Sequence, residues 1–133
     1  MTDVIRRQVE EANTAFYQAL ESLDLDAMAD VWEASARSAC VHPGSPWYLG
    51  WAEVRRGFEV IFEGTPYIEF EIADVEVRVE DPTAWVTCVE RVTGPDGRVA
   101  ELVATNAFVL GADGWKMVLH HASEVVRPAS LGA

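Results

Sequence analysis

Residues 67–80 read YIEFEIADVEVRVE, and their alternation of apolar and charged side chains decides the fold. The apolar residues fall into two alternating sets, which are Ile68, Phe70 and Ile72, and then Val75, Val77 and Val79. The phase slips by one residue at Ala73-Asp74, and such a slip would turn the second set onto the opposite face of a regular strand. We therefore predict one long strand with a β-bulge or a sharp bend at Ala73-Asp74.

Three more strands are predicted downstream, at 84–93, 98–110 and 115–126. Short segments rich in turn-forming residues separate the strands, namely Asp81-Pro82, Gly94-Pro95-Asp96-Gly97 and Ala112-Asp113-Gly114. Links this short join neighbouring strands in antiparallel fashion. The second half of the chain is therefore predicted to form a four-stranded antiparallel meander.

The first half of the chain is mainly helical in pattern. An apolar stripe at helical spacing comprises Ile5, Val9, Ala12, Phe16, Leu20 and Leu23. A second, shorter helix is predicted at 24–34, with Ser22 or Asp24 as its N-cap. A third helix begins at Trp51 and ends at Gly64-Thr65-Pro66. Three helices therefore precede the meander.

The second and third helices are joined by residues 40–51, CVHPGSPWYLGW. A residue before proline favours extended backbone, so we expect Val41 and His42 to end a short strand. Residues 45–50 are predicted to be a loop that leads into the third helix. Its aromatic side chains and the first residue of that helix, which are Trp47, Tyr48 and Trp51, would then lie at the open end of the fold.

Helices gathered before strands indicate an α+β protein, with N-terminal helices packed on a strongly curved, mainly antiparallel β-sheet. A curved sheet closed by helices leaves a conical pocket, the kind of concave space that small molecules occupy. Residues 1–133 are predicted to form a single domain, with 128–133 as a frayed tail.

Composition excludes several classes of function. The formal net charge is −12, and lysine and arginine are scattered, so a nucleic-acid partner or an anionic membrane surface is not expected. No signal peptide or membrane-spanning run is recognised, which favours a cytoplasmic protein. Cys40 and Cys88 lie in apolar runs and are predicted to be buried thiols. No cofactor and no metal site are predicted.

The chain resembles the nuclear transport factor 2-like superfamily, in particular its SnoaL-like and ketosteroid-isomerase-like small proteins. The resemblance rests on ANTAFYQALESLDLDAMADVWEA for the paired helices, on Val41-His42-Pro43 followed by Gly50-Trp51, and on GWKMVLHHAS near the end. It implies a cystatin-like α+β roll, a conical pocket and a homodimer. Members include isomerases, dehydratases, polyketide cyclases, epoxide hydrolases and non-catalytic binding modules, so the fold alone does not settle function.

The last strand carries two histidines, which are candidates for acid or base because histidine titrates nearest neutrality. Strict alternation from Lys116 to Glu124 places His121 in the pocket, together with Met117, and places His120 on the outer face. His121 is then the first candidate catalytic residue and His42 the second. A metal site is not favoured, because adjacent strand residues point to opposite sides.

Further candidates come from the preceding strands and the second helix. Asn106 and Phe108 are predicted to face inward, and the Asn106 side chain is expected to hydrogen-bond either to backbone groups or, as a donor, to a ligand. Glu90 and Asp30 are the carboxylates that we place near the pocket, with catalytic or orienting roles. The predicted ligand-binding set comprises Asn106, Trp47, Tyr48, Trp51, Phe108, Trp32 and Met117.

Both faces of the strand at 84–93 are substantially apolar, more than the core of one protomer requires. We therefore expect a homodimer formed through the outer face of the sheet. The leading hypothesis is a domain that binds a small apolar organic molecule, with acid/base isomerisation, dehydration or cyclisation as its reaction. The alternative is a non-catalytic ligand-binding or assembly module that dimerises through its sheet.

Overall fold

The computed structural model describes residues 2–126, so the predicted frayed tail at 128–133 lies outside the described residues. Three helices and six strands are described within this range. In chain order they are α1 (Thr2–Ser22), α2 (Leu25–Val31), β1 (Ala39–Val41), β2 (Trp47–Leu49), α3 (Trp51–Gly64), β3 (Glu69–Glu80), β4 (Thr83–Thr93), β5 (Val99–Gly111) and β6 (Gly114–Glu124).

The strands form one sheet in the order β2-β1-β6-β5-β4-β3. Strands β3 to β6 are the predicted antiparallel meander, and β1 joins it by pairing in parallel with β6. The helices pack on the inner face of the sheet, where the buried residues of α1, α2, α3 and the strands form one core. The α+β class predicted from the sequence is confirmed.

The turn between the first two helices follows its predicted chemistry. Asp24 is the N-cap of α2, and its carboxylate accepts hydrogen bonds from the backbone nitrogens of Asp26 and Ala27 at 3.0 and 3.1 Å. The helix ends at Val31, earlier than predicted, because the extended backbone of Trp32 forms a bridge with Met117 of β6.

The predicted loop at 45–50 contains a strand instead. Residues 47–49 form β2, which pairs antiparallel with β1 and makes a hairpin of residues 39–49. Gly44 adopts a left-handed φ of 73°, and the backbone nitrogen of Ser45 donates to the carbonyl of His42 at 3.0 Å, so the chain reverses tightly here. A strand of three residues is too short for its alternation to be recognised in the sequence.

The predicted bulge at Ala73-Asp74 is confirmed. Pairing between β3 and β4 shifts register between Ala73 and Glu76, and Asp74 has a left-handed φ of 52°. The two apolar sets of β3 therefore both contribute to the inner face, since Phe70 and Ile72 pack against the core before the bulge and Val77 is buried within it afterwards.

A second bulge, in β6, is absent from the prediction. Ala107 of β5 pairs with Leu119, whereas the next residue, Phe108, pairs with Met117, so Val118 is an extra residue in β6. Side-chain alternation therefore changes phase at Val118. The sequence offers no sign of this change, because Met117, Val118 and Leu119 are all apolar.

The change of phase reverses the predicted faces of the two histidines. His120 is buried with 4% of its surface exposed, whereas His121 is exposed on the outer face of the sheet. The prediction that His121 points into the pocket is therefore wrong, and so is the prediction that His120 faces outward.

Replacing Asp74 by alanine should destabilise the fold more than replacing it by glycine, by about 1 kcal/mol, because a left-handed backbone penalises an ordinary Cβ. The free energy of unfolding from urea titrations measures this difference. Glu76→Ala, at an exposed position two residues away, is the control and should change stability by less than about 0.5 kcal/mol. Equal stabilities of the Asp74→Ala and Asp74→Gly variants would contradict the proposed strain.

Candidate functional site

A cluster of buried, hydrogen-bonded polar side chains lies between α1 and the sheet. Its members, which we call the inner polar network, are Asn13, Tyr17, Glu90, Asn106 and His120, and each is at most 4% exposed. Asn13 and Tyr17 lie one turn apart on α1, so they share a face of the helix. Glu90, Asn106 and His120 come from the neighbouring strands β4, β5 and β6.

Asn106 is the centre of this network. Its amide nitrogen donates to Asn13 Oδ1 at 2.8 Å and to the Tyr17 hydroxyl oxygen at 3.1 Å. Its carbonyl oxygen lies 2.6 Å from His120 Nδ1. An amide oxygen only accepts hydrogen bonds, so Nδ1 of His120 carries the proton and donates it. One side chain thus joins α1 to two strands.

The chain of hydrogen bonds ends at Glu90. The Tyr17 hydroxyl donates to Glu90 Oε2 at 2.5 Å and lies 3.4 Å from Cys88 Sγ. Burial raises the pKa of Glu90, an effect that the Tyr17 hydrogen bond opposes. Burial and the nearby Glu90 charge raise the pKa of Tyr17. Tyr17 therefore stays protonated at neutral pH, while Glu90 is a strong acceptor whenever it is ionised.

His120 and His42 are neutral in this environment. Burial, followed by the charges of His42 and His121, lowers the pKa of His120 to about 3. Burial lowers the pKa of His42 to about 4. The centres of the two imidazole rings are 6.2 Å apart. His42 Nε2 lies 3.5 Å from Cys40 Sγ, and burial raises the pKa of this thiol, in contrast to its effect on the two histidines. Neither imidazole is positioned to carry a charge at neutral pH.

The predicted catalytic residues do not all come together. Glu90 and Asn106 lie in the inner polar network, and His42 points inward beside His120. His121 lies on the opposite face of the sheet. Asp30 has an exposed side chain near the end of α2, and only its backbone carbonyl is engaged, by Lys116 Nζ at 2.6 Å. The placement of Asp30 near a pocket shared with Glu90 is therefore wrong.

The predicted ligand-binding residues other than Asn106 have three different environments. Trp32, Phe108 and Met117 are fully enclosed in the core and face no open space. Tyr48 and Trp51 are half-buried, and the ring of Tyr48 packs against Gly57 of α3, where an added Cβ would lie 3.3 Å from the ring. Trp47 is 73% exposed on the outer side of β2.

Three members of the network, Asn13, Tyr17 and His120, are not among the predicted site residues. Asn13 and Tyr17 each follow an apolar position of the α1 stripe, which does not include them. The available signal was their spacing of four residues next to Phe16, which places both on the inward side of the helix. A polar pair at that spacing requires partners in the core.

The network reaches the surface through a groove between α1 and β3, which we call the α1–β3 groove. Its volume is about 490 Å³. Asn13 and Tyr17 line it, whereas Glu90 lies behind Tyr17 and does not. The other lining residues are Glu10, Thr14, Gln18, Glu21, Phe70, Ile72 and Val75. A molecule in this groove would touch the network through two polar side chains of α1.

The outer face of the sheet is apolar near β2. A depression of about 490 Å³ is lined there by residues of β1, β2 and β6 that include Val41, Trp47, Leu49, Leu119 and His121. Further along the same face, Trp85 and Val103 are also exposed. Exposed apolar side chains that continue across several strands are typical of a surface that contacts another protein.

Comparison with known proteins identifies the family. Residues 9–128 match the SnoaL-like domain family, so the chain belongs to that family. A nuclear transport factor 2-like (NTF2-like) protein from Streptomyces avermitilis, described as a candidate dehydratase, is 39% identical. The match covers 96% of this chain and 100% of that one, with a TM-score of 0.90. The family resemblance inferred from the sequence is thereby confirmed.

Two further relatives are described as proteins of other classes than a dehydratase. A candidate association domain of calcium/calmodulin-dependent protein kinase type II from Thiobacillus denitrificans is 33% identical. This match covers 88% of this chain and 94% of that one, with a TM-score of 0.82. The F-box protein SKIP8 of Arabidopsis thaliana is 29% identical over 88% of this chain, which spans 49% of that protein's length.

Residues 2–126 contain neither a metal-binding group of side chains nor a membrane-spanning helix. No group of three or more histidine, cysteine, aspartate or glutamate side chains in this range is arranged to hold a metal ion. None of the three described helices is long and apolar enough to cross a membrane.

Lowering the pH from 7 to 5 should reduce the free energy of unfolding. His120 has a folded-state pKa of about 3 and His42 of about 4, both below the ordinary value of about 6.5, so the unfolded chain binds protons first. Their stabilising contribution is complete above about pH 6.5 and is lost as the pH falls towards 4 for His42 and towards 3 for His120. For His120 the loss at pH 5 is about 2 kcal/mol, and Glu90, whose pKa is raised, works in the opposite direction.

Urea unfolding at several pH values measures this dependence, and ring ¹⁵N chemical shifts report the state of His120. His120→Gln should remove the contribution of His120 to the pH dependence and leave that of His42. An imidazolium at position 120 in the folded protein at pH 5 would contradict the assignment.

Proposed function

We propose that the protein binds a small, largely apolar organic molecule in the α1–β3 groove and catalyses an acid/base reaction on it, with dehydration or isomerisation as the reaction class. The observation that carries the proposal is the double role of Tyr17. Its side chain lines the groove and its hydroxyl group donates to the buried carboxylate of Glu90 at 2.5 Å. A substrate in the groove would thus have access to a proton acceptor that is itself shielded from water.

The proton transfer would proceed in one concerted step. The Tyr17 oxygen takes a proton from the carbon next to a substrate carbonyl, while the tyrosine's own proton passes to Glu90 Oε2. A concerted transfer is required because the raised pKa of Tyr17 disfavours a free phenolate. In a dehydration, the proton on Glu90 returns through Tyr17 to the departing hydroxyl group, which leaves as water. In an isomerisation it returns to a different carbon.

The remaining residues of the network would position the reacting pair. Asn106 donates to the Tyr17 oxygen and orients its hydroxyl hydrogen towards Glu90, and His120 in turn fixes the amide of Asn106. Phe70 closes the groove over Tyr17, with ring centres 5.5 Å apart. His42 does not line the groove and has no step in this proposal.

The comparison with the Streptomyces avermitilis protein supports this reaction class. That protein is described as a candidate dehydratase, and it is 39% identical over its full length. Similarity of this degree makes a β-hydroxy carbonyl compound the first substrate class to test.

Glu90→Gln and Tyr17→Phe should each lower the rate of dehydration of a β-hydroxy ketone by about 10² to 10⁴-fold, the usual contribution of a positioned acid or base. The measurement is ultraviolet absorbance of the conjugated enone product, with circular dichroism to verify that both variants fold. His121→Ala is the control, because His121 lies on the other face of the sheet, and it should retain full activity. Full activity in Glu90→Gln would exclude the proposed acceptor.

A second function, self-association, is favoured by the apolar outer face. Trp47 is 73% exposed and Leu49 is 56% exposed on the same side of β2, and the outer side of the sheet continues this apolar surface to Val103. The Thiobacillus denitrificans relative is described as an association domain. We propose that two copies of this chain pack through their outer sheet faces, and this assembly is compatible with a groove on the inner side.

Trp47→Lys should weaken this association by at least about tenfold, because it replaces a large, exposed apolar side chain of the proposed contact by a charge. Light scattering across micromolar concentrations measures the dissociation constant. Val60→Lys is the matched control, since Val60 is 53% exposed on α3, away from the outer face, and should have no effect. A wild-type protein that is monomeric at these concentrations would refute the proposal.

A further inference from the structure

The residues that line the α1–β3 groove also indicate which charge its ligand has. We infer that it selects uncharged or cationic molecules that bear a hydrogen-bond acceptor such as a carbonyl oxygen, and that it rejects carboxylates. This inference rests on the proposed function, since it concerns the same groove, but it follows from different atoms.

The acceptor requirement comes from Asn13. Its side chain is 3% exposed, and its Oδ1 accepts the hydrogen bond from Asn106. No hydrogen bond from its amide nitrogen, Nδ2, is found within residues 2–126, and this atom is not fully enclosed by the protein. Asn13 lines the groove, so this open donor faces the space that a ligand would occupy. This donor is not enclosed by the protein, so an acceptor atom of the ligand would bond to it in place of solvent.

The charge preference comes from the two ends of the groove. Glu10 and Glu21 line it at positions eleven residues apart on α1, which places their backbones about 16 Å from each other along the helix. Asn13 and Tyr17 lie between them. Glu21 is held in place, because its carboxylate accepts the backbone N–H of Phe70 at 2.8 Å. Neither lysine nor arginine is among the described lining residues.

The wall of the groove opposite α1 is apolar. Phe70, Ile72 and Val75 of β3 offer an apolar surface beside the ring of Tyr17. A flat apolar body fits against this wall with its acceptor directed at Asn13. A cationic end would reach Glu10 or Glu21, where an aromatic face of Phe70 also favours positive charge. The nearest cation on this stripe of α1 is Arg6, one turn before Glu10 and outside the lining.

The electrostatic effect is large enough to measure. Two unit charges about 4 Å apart in water interact by about 1 kcal/mol, roughly a fivefold change in affinity, and partial exclusion of water increases it. A ligand carboxylate near either end of the groove would experience one such repulsion and a weaker one from the glutamate at the other end. A protein of net charge −12 adds a weaker background repulsion that salt screens.

The experiment compares three probes that share one skeleton. Acetophenone is neutral, 4-(aminomethyl)acetophenone is cationic and 4-acetylbenzoate is anionic, and all three carry the same ketone. Amide chemical shifts of α1 and β3 report whether each binds in the groove and with what dissociation constant. We expect acetophenone to bind at least tenfold more tightly than 4-acetylbenzoate, and the cationic probe to bind at least as tightly as acetophenone.

The double variant Glu10→Gln/Glu21→Gln should reduce the discrimination against 4-acetylbenzoate to less than about threefold. Glutamine keeps an oxygen acceptor for the Phe70 N–H, so the groove should keep its shape. The control is Glu63→Gln/Asp113→Asn, which removes the same charge at exposed positions away from the groove and should leave the discrimination unchanged.

Asn13→Asp tests the open donor, because it keeps the acceptor for Asn106 and removes the Nδ2 hydrogens. It should weaken acetophenone binding at least tenfold. If this variant does not fold, the three probes and the Glu10/Glu21 variant still decide the charge preference, and binding of ethylbenzene, which lacks the ketone, as tightly as acetophenone would overturn the acceptor requirement.

The outcomes separate the two proposals. If all three probes bind in the groove with similar affinity, the selectivity inferred here is overturned and the groove remains a binding site. If none of the probes perturbs α1 or β3, the proposed binding site itself fails.

Discussion

The hydrogen bonds of Asn106 are the constraint on which the arrangement of helix and sheet depends. A fully buried amide must satisfy both its oxygen and its nitrogen, and Asn106 does so with His120 on the adjacent strand and with Asn13 and Tyr17 on α1. A shift of α1 by one residue along the sheet would break two of these bonds at once. The apolar core holds the helix on the sheet, and this polar contact sets its position along it.

The two faces of the sheet differ in chemical character, and the hydrogen bonds of Asn106 lie on the inner face. On this face a buried carboxylate, Glu90, is connected to the surface of the α1–β3 groove through a single side chain, Tyr17. On the outer face the strands present apolar residues and the exposed His121. The proposed chemistry and the proposed association therefore use opposite sides of one sheet, which allows each to be altered without the other.

The sequence predicts the fold well and the candidate site only in part. Its α+β order, the bulge at Ala73-Asp74 and the inward position of Asn106 all follow from periodicity, because an apolar set that changes phase is visible when charged residues mark the other face. The bulge at Val118 was missed for the converse reason, since three consecutive apolar residues, Met117 to Leu119, hide the phase. One unrecognised residue there exchanged the faces of His120 and His121.

The sequence by itself determined which elements form, in what order, and which of their positions are apolar, because these depend on local spacing along the chain. Only the tertiary structure decided that Tyr17 meets Glu90, residues separated by 73 positions, and that Asn13 opens onto a groove. Such contacts depend on how α1 lies across the strands. That placement results from packing and hydrogen bonding between distant segments, which no local pattern records.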